Sequence, residues 1–447
     1  MSLFGTSGIR GDAEKVLTDE FCASIGRSFV KFLDKHNASG AIAVGMDPRQ
    51  SSPRIKTALF HGLANGGRNL LDEGICPIPA MCWLQKQQDV AGTIMITGSH
   101  IAPNLNGLKF FAFDEEITKG HEKEIEEIYN NLASQGVPFR GRDGGVEIYQ
   151  ETRAQELYKQ MLKDQAGSLK KMKVVVDCAN GAQSVVIPDL LRELGMDVVK
   201  VNCDPESNFI ARDTDTDDKA FIDDLKMSVA REKAAIGIAF DGDGDRLVFI
   251  DETGNFVLGE YSCSLIAKDE PGDVIVATIA SSAVVDTVGK KVVRTKVGSP
   301  YVIAAMKENN ADFGFEQNGG AVFAKNMYTR DGGSVMIKIL SLFSDFNGNF
   351  SELVATLQKF HMHRTKVDCP TELNNQIING VKEKFHGVRV DETDGLKIWQ
   401  DEKTWILFRP SANAPEFRVF AESDNDSKSA KLLSDGISFV KGIISSN

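Results

Sequence analysis

Three times along the chain, a β-branched run leads into a small-residue turn and a helix, and a second apolar run then ends in a polar, glycine-bearing loop. The first runs are Ile42-Ala43-Val44-Gly45 before Ser51-Ser52, Val174-Val175-Val176-Asp177 before Gln183-Ser184, and Val274-Ile275-Val276-Ala277 before Ser281-Ser282. The second runs are Ile94-Met95-Ile96 before Ser99, Ile236 to Phe240 before an aspartate-rich loop, and Phe313-Gly314-Phe315 before Glu316. Short strands alternating with helical patterns read as α/β, and a repeat of this length reads as a duplicated structural unit. In open α/β sheets ligands gather beyond the carboxyl ends of the strands, so three such units side by side would aim three loops at one cleft.

The final segment breaks the pattern. Thr404 to Phe408 and Phe417 to Phe420 read as strands around Arg409-Pro410-Ser411-Ala412-Asn413-Ala414-Pro415, with a helix from about Ser427. The expected organisation is three similar α/β domains with mixed sheets, at 1–145, 146–252 and 253–361, plus a C-terminal α+β domain at 362–447, around a central cleft. A chain of 447 residues is in any case too long for one hydrophobic core.

A formal charge of −12 argues against nucleic acid or an anionic membrane as partner. An anionic substrate would have to be held by local Arg and Lys against that field. Seven scattered cysteines, odd in number and without a Cys-x-x-Cys pair, fit reduced thiols. The opening Met1-Ser2-Leu3-Phe4-Gly5 is no signal peptide, and Asp286 breaks the best apolar stretch, Val274 to Val288. A soluble, cytoplasmic protein is expected, and no feature points to an oligomeric state.

Two loops carry the chemistry. Thr97-Gly98-Ser99-His100 presents a serine at the end of a strand, with Lys109 beyond an Asn-Gly turn. A lone serine there is commonly a cap or turn residue, and Lys109 beside Phe110-Phe111 reads equally as an exposed lysine or as a group moving protons to and from a hydroxyl. In the second loop, Asp241-Gly242-Asp243-Gly244-Asp245-Arg246, three alternate carboxylates suit a six-coordinate Mg²⁺ that also binds a phosphate oxygen. The rival is a calcium EF-hand, since Glu252 also falls at the right offset; Arg246 where that loop needs glycine, and a strand before it, count against this. Arg10, after Gly5-Thr6-Ser7-Gly8-Ile9, suits a phosphate. Glu316 and Asn318 suit sugar hydroxyls, and the Arg409 to Pro415 loop suits a phosphate that stays attached. No Walker A sequence supports ATP as donor.

With these loops in view the chain resembles the α-D-phosphohexomutases (phosphoglucomutase, phosphomannomutase and phosphoglucosamine mutase). The likeness runs through Phe4 to Gly11, Thr97 to His100, Asp241 to Arg246, Gly314 to Gly320 and Arg409-Pro410-Ser411, in that order. It implies four domains around a cleft and a ping-pong cycle in which phosphorylated Ser99 and a sugar monophosphate exchange a phosphoryl group through a sugar 1,6-bisphosphate. It further implies Asp241, Asp243, Asp245 and the Ser99 phosphate as ligands of Mg²⁺, with Arg246, Arg10, His100 and Lys109 around the reacting centre. Glu316, Asn318 and Gly298 would serve the sugar, and Arg409, Ser411, Asn413 and Arg418 the non-reacting phosphate. Many members carry a serine and a histidine where this chain has Asn318 and Gly320, Thr-Glu-Pro where it has Asn413-Ala414-Pro415, and Asn-Pro where it has Ile101-Ala102. The expected activity is interconversion of hexose 6- and 1-phosphates, mannose or glucose phosphate first and glucosamine phosphate second. The reading from another class is a non-catalytic sugar-phosphate or Ca²⁺-binding protein.

Overall fold

The computed structural model describes all residues except 1, 2, 6, 88, 135–145, 215–221, 385–388, 412–414 and 447. Each of the three repeats builds the same sheet. In the first, Ala41–Met46 lies between Leu70–Ile75 and Val90–Ile96, all parallel, and Leu105–Ala112 returns antiparallel to Val90–Ile96. In the second, Lys173–Asp177 lies between Asp197–Val201 and Ile236–Phe240, and Leu247–Asp251 returns antiparallel. In the third, Val274–Thr278 lies between Lys291–Thr295 and Phe313–Phe315, and Ala321–Phe323 returns antiparallel. The central strand of each sheet is almost wholly buried, which explains why it reads as an unbroken apolar run rather than an alternating one.

Because the last strand of each unit folds back, the three chemical loops occupy one equivalent place. They join Ile96 to Leu105, Phe240 to Leu247, and Phe315 to Ala321. The first and third sheets run on into one another through a parallel bridge, Tyr328 to Glu115, giving a twelve-stranded sheet among the described residues. In the second unit the short strand Phe256–Val257 pairs with Leu247–Asp251, so that sheet continues past the turn at Gly254.

The helices expected after the small-residue turns differ between repeats. Ser52–Leu63 is a full α-helix in the first. In the second, one 3₁₀ turn, Ala182–Val185, precedes the short helix Ile187–Glu193. The third has only the 3₁₀ turn Ala283–Thr287, correcting the expected helix. The β-branched Val284, Val285 and Thr287 favour helix weakly, and the chain must rejoin the sheet at Lys291.

The C-terminal unit is a five-stranded antiparallel sheet, with Asn374–Lys384 and Asp426–Ser445 as its helices. It docks on the third repeat through an apolar cluster of Ile279, Ala280, Trp405, Leu407 and Phe420. Trp405 is fully buried there and donates from its indole to Glu422 at 2.7 Å; Glu422 in turn accepts from the Ala283 N–H at 2.8 Å. Among the described residues, no helix is long and apolar enough to cross a membrane.

In the first unit the helices Asp19–Lys35 and Ser52–Leu63 cross at Gly62, where a Cβ would stand 2.0 Å from the Ala23 carbonyl oxygen. Alanine there would gain about 1 kcal/mol of helix propensity and lose about 1–3 kcal/mol by overpacking. We therefore expect Gly62→Ala to lower the thermal midpoint; a midpoint at or above that of the parent would show that the two helices separate without penalty.

Candidate active site

Ser99 sits in the left-handed region, at φ 53°, and is fully buried. A non-glycine residue there carries about 1–3 kcal/mol of strain unless its surroundings fix it. Those surroundings are a buried arginine. Arg49 donates from Nη2 to the carbonyls of Ser99 and Ile101, both at 2.8 Å, and from Nη1 to those of Ala102 at 2.7 Å and Leu105 at 2.9 Å. Its Nε is held by Asp47 at 3.0 Å. The Ser99 N–H donates to Thr97 Oγ1 at 2.8 Å. Gly98 leaves room for the guanidinium, since a Cβ would come within 2.7 Å of Arg49 Cζ. So fixed, Ser99 Oγ lies 3.4 Å from Asp241 Oδ2 and 3.4 Å from His100 Nδ1.

The aspartate loop caps the hairpin in which Phe240 faces Leu247. Gly244 turns it at φ 73°, and Asp241 Oδ1 accepts from the N–H groups of Gly244 at 3.1 Å and Arg246 at 3.2 Å. The hairpin, with strands on both sides, disposes of the EF-hand reading. Glu252 is engaged elsewhere, accepting from Ser351 N at 3.1 Å. Asp241, Asp243 and Asp245 each offer an oxygen within 4.8 Å of the others. Of the cluster's buried oxygens, Asp243 Oδ1 and Asp245 Oδ1 have no hydrogen-bond partner. Orphaned buried carboxylate oxygens in a tight cluster are the donor set a hard dication takes, and the residues fit magnesium.

Cations from three units compensate this cluster. Lys109, 2% exposed, places Nζ 3.3 Å from Asp243 Oδ2 and 3.6 Å from Asp245 Oδ2, which rules out the exposed-lysine reading. Arg246 Nε lies 3.4 Å from Asp245 and 3.7 Å from Asp241. Arg330 bridges two loops, from Nη2 to Asp245 at 2.6 Å and from Nη1 to Glu316 at 2.7 Å. Burial, then repulsion from Asp243 and Asp245, pushes the Asp241 carboxyl well above its ordinary range. Burial acts the same way on Asp243, but Lys109, then Arg246 and Arg330, outweigh it and hold that carboxyl below the usual range.

A cleft of about 650 Å³ takes residues from every unit; His100, Arg246 and Arg330 line it, whereas Ser99, Lys109 and the three aspartates are buried and are not among its lining residues. Arg10 and His100 line it from the first unit and Arg246 from the second. The Arg10 Nε is buried without a hydrogen-bond partner. Burial, reinforced by Arg246, Arg10 and Arg330, pushes the His100 imidazole well below its ordinary pKa, so it is neutral at physiological pH. From the third unit come Glu316, Asn318 and Gly298, the last at φ 139° ahead of the helix Ser299–Asn309. Gly320 is bare for a reason: a Cβ would meet Arg330 Cδ at 2.6 Å.

The C-terminal unit contributes Arg409, Ser411 and Arg418 to the cleft. Arg409 and Arg418 are register partners on adjacent strands. Like charges so placed repel, and each has a carboxylate beside it, Asp394 at 2.6 Å and Glu416 at 2.9 Å. Two facing guanidinia are suited to a phosphate. Asn413 lies outside the described residues.

Several neighbours escaped the sequence reading. Asp47-Pro48-Arg49 follows the first strand as the Ser99 loop follows another, yet nothing local marks Arg49 as its clamp. Arg330, at the end of the strand Met327–Arg330, was not singled out either. The segment from Asn202 to Thr214 is a brace: Phe209 packs against Gly242 and under the Arg49 guanidinium, 4.3 Å from its carbon. Arg212 donates to the Phe240 carbonyl at 2.8 Å, and Thr214 Oγ1 to that of Asn318 at 2.8 Å.

The chain matches the three domain models of one family, described as phosphoglucomutase/phosphomannomutase alpha/beta/alpha domains I, II and III, over residues 1–136, 149–254 and 254–360. It is 35% identical to a phosphoglucomutase/phosphomannomutase of Thermococcus kodakarensis, over 98% of each chain. It is 31% identical to a probable phosphoglucosamine mutase of Methanopyrus kandleri, over 98% of this chain and 97% of that one. Its fold matches a crystal structure of a phosphoglucomutase/phosphomannomutase family protein from Burkholderia thailandensis, with a TM-score of 0.84 and 24% identity, over 99% of this chain and 97% of the other. Three α/β units in series, a fourth antiparallel one, and full-length relatives of one kind lead to a single assignment: the chain belongs to the phosphoglucomutase/phosphomannomutase family of the α-D-phosphohexomutase superfamily.

Proposed function

We propose that this protein is a phosphohexomutase that interconverts hexose 6-phosphate and hexose 1-phosphate, with Ser99 as the phosphoryl carrier and a sugar 1,6-bisphosphate as intermediate. The observation that carries this reading is the 3.4 Å approach of Ser99 Oγ, from one unit, to the carboxylate cluster of the next. Mannose or glucose phosphate is the first substrate class. Glucosamine phosphate is the second, on the strength of the Methanopyrus relative's name.

Bound by Asp241, Asp243 and Asp245, magnesium would supply positive charge to the phosphoryl oxygens carried on Ser99. The chain's own residues do the rest. The Arg49 clamp fixes Ser99 Oγ so that no reorganisation is needed as it gives up and regains the group. Arg10 and Arg246 face the cleft where negative charge spreads over the transferring oxygens. Neutral His100 and buried Lys109 flank the reacting centre and can hold the proton of the reacting hydroxyl. Glu316, oriented by Arg330, accepts from sugar hydroxyls, with Asn318 and Gly298 beside it. Arg409, Ser411 and Arg418 retain the phosphate that is not reacting, and Asn413 is proposed to join them. After the first transfer the bisphosphate turns over, and its other phosphate meets Ser99.

A turnover panel of mannose, glucose and glucosamine phosphates, primed with the matching bisphosphate, tests the activity and ranks the sugars. No turnover with any of them would overturn the reading in favour of a binding protein. We expect Ser99→Ala to abolish turnover and to carry no phosphate in peptide mass spectrometry; a near-normal rate would refute the covalent role. Asp243→Asn should lower magnesium-dependent turnover on the order of a hundredfold or more. Equal activity with and without chelator would contradict the metal assignment.

A further inference from the structure

Thr97 is fully buried two residues before Ser99, and the proposed phosphoryl cycle gives its hydroxyl no part. Its backbone is fixed where the strand ends, the Thr97 N–H donating to the Gly107 carbonyl at 3.0 Å. A threonine hydroxyl has one proton to give and lone pairs that accept, and here it does both. Thr97 Oγ1 accepts from the Ser99 N–H at 2.8 Å. Its proton is shared between carboxylates of two different units, Asp47 Oδ2 at 2.8 Å and Asp243 Oδ2 at 3.2 Å.

Asp47 is a rigid anchor for that hydroxyl. Its Oδ2 also accepts from Arg49 Nε at 3.0 Å, and its Oδ1 from the Arg49 N–H at 3.2 Å and from Ser52 Oγ at 3.0 Å. One aspartate thus holds both the guanidinium that clamps the Ser99 loop and the hydroxyl that reaches the aspartate loop. On the far side, the two oxygens of Asp243 are treated differently. Thr97 and Lys109, the latter at 3.3 Å, donate to Oδ2, whereas Oδ1 is buried with no hydrogen-bond partner. Donors on one oxygen of a carboxylate orient the group and so aim the other oxygen at a metal. Lys109 brings a point charge on a flexible stem, which gives little direction. Thr97 is β-branched and stiff at χ1, and gives the direction.

We infer that Thr97 is a positioning residue that couples the two halves of the site: one hydroxyl holds the Ser99 backbone and aims Asp243 at the divalent cation. This rests on the proposed phosphoryl carrier and metal site. Removing the hydroxyl leaves the buried Ser99 N–H without its acceptor and leaves Asp243 Oδ2 to Lys109. Cation affinity and serine placement should therefore fail together, although Thr97 touches neither the cation nor the sugar.

The test titrates Mn²⁺ into the full-length protein by electron paramagnetic resonance and measures hexose-phosphate turnover against magnesium concentration, in the parent, Thr97→Val and Thr97→Ser. We expect Thr97→Val to weaken Mn²⁺ binding about tenfold to a hundredfold, as loss of a group that orients a metal ligand does. At saturating magnesium its turnover should stay about tenfold or more below the parent's, because Ser99 has lost its support as well. Thr97→Ser keeps the hydroxyl and should restore both Mn²⁺ binding and most of the turnover. Thr97→Ala, read in the same way, replaces the valine variant if that does not fold. Unchanged Mn²⁺ binding in Thr97→Val overturns the link to Asp243, and full recovery of its turnover by excess magnesium overturns the link to Ser99. Equal losses in the serine and valine variants reduce Thr97 to packing and overturn both links. A parent that binds no Mn²⁺, or turns over no hexose phosphate, overturns the proposed function itself; a parent that does both, beside an unaltered Thr97→Val, overturns this inference alone.

Discussion

Three carboxylates confined within 4.8 Å of one another, and buried, repel strongly enough that the aspartate loop depends on what surrounds it. The answer is spread over the sequence. Lys109 comes from the first unit, Arg246 from the loop itself and Arg330 from the third unit. Breaking any one pair would leave buried charge uncompensated, which in general costs about 3–5 kcal/mol. The electrostatics of the loop therefore tie three domains together, and the cleft follows from that tie. Arg330 makes the link explicit, because one guanidinium orients both Asp245 of the aspartate loop and Glu316, the residue proposed to meet the sugar.

The serine is held by the opposite kind of device. Where the carboxylates are fixed by charge, Ser99 is fixed by backbone hydrogen bonds, four of them from Arg49 to carbonyls of its own and following residues. A guanidinium presents five donors in a rigid plane, and no other side chain could satisfy so many carbonyls at once. The strained φ of Ser99 persists because the loop around it is over-determined. Phe209 packs on the same guanidinium and closes on Gly242, so the clamp on Ser99 and the aspartate loop share one wall.

Local features were legible in the sequence. The strands Ile236–Phe240 and Phe313–Phe315 coincide with the apolar runs, and the alternating aspartates are visible because their spacing is set within six residues. The threefold repeat also showed, since buried parallel strands are apolar without interruption. What did not show were relations set at long range. The continuity of the first and third sheets rests on one bridge between Tyr328 and Glu115, which no local pattern encodes. Arg49 lies some fifty residues from its carbonyl partners, and Arg330 lies 85 residues from Asp245. The third repeat's missing helix turned on the space left before Lys291, a tertiary matter that a small-residue turn does not reveal.

The central claim is that a clamped serine and three carboxylates from different domains make one metal-bound phosphoryl site. Anomalous diffraction from crystals grown with manganese as a magnesium substitute tests it most directly. The account predicts a peak within coordination reach of Asp241, Asp243 and Asp245 and of the oxygen on Ser99. Manganese found elsewhere, with Lys109 alone filling the carboxylate cluster, would contradict it.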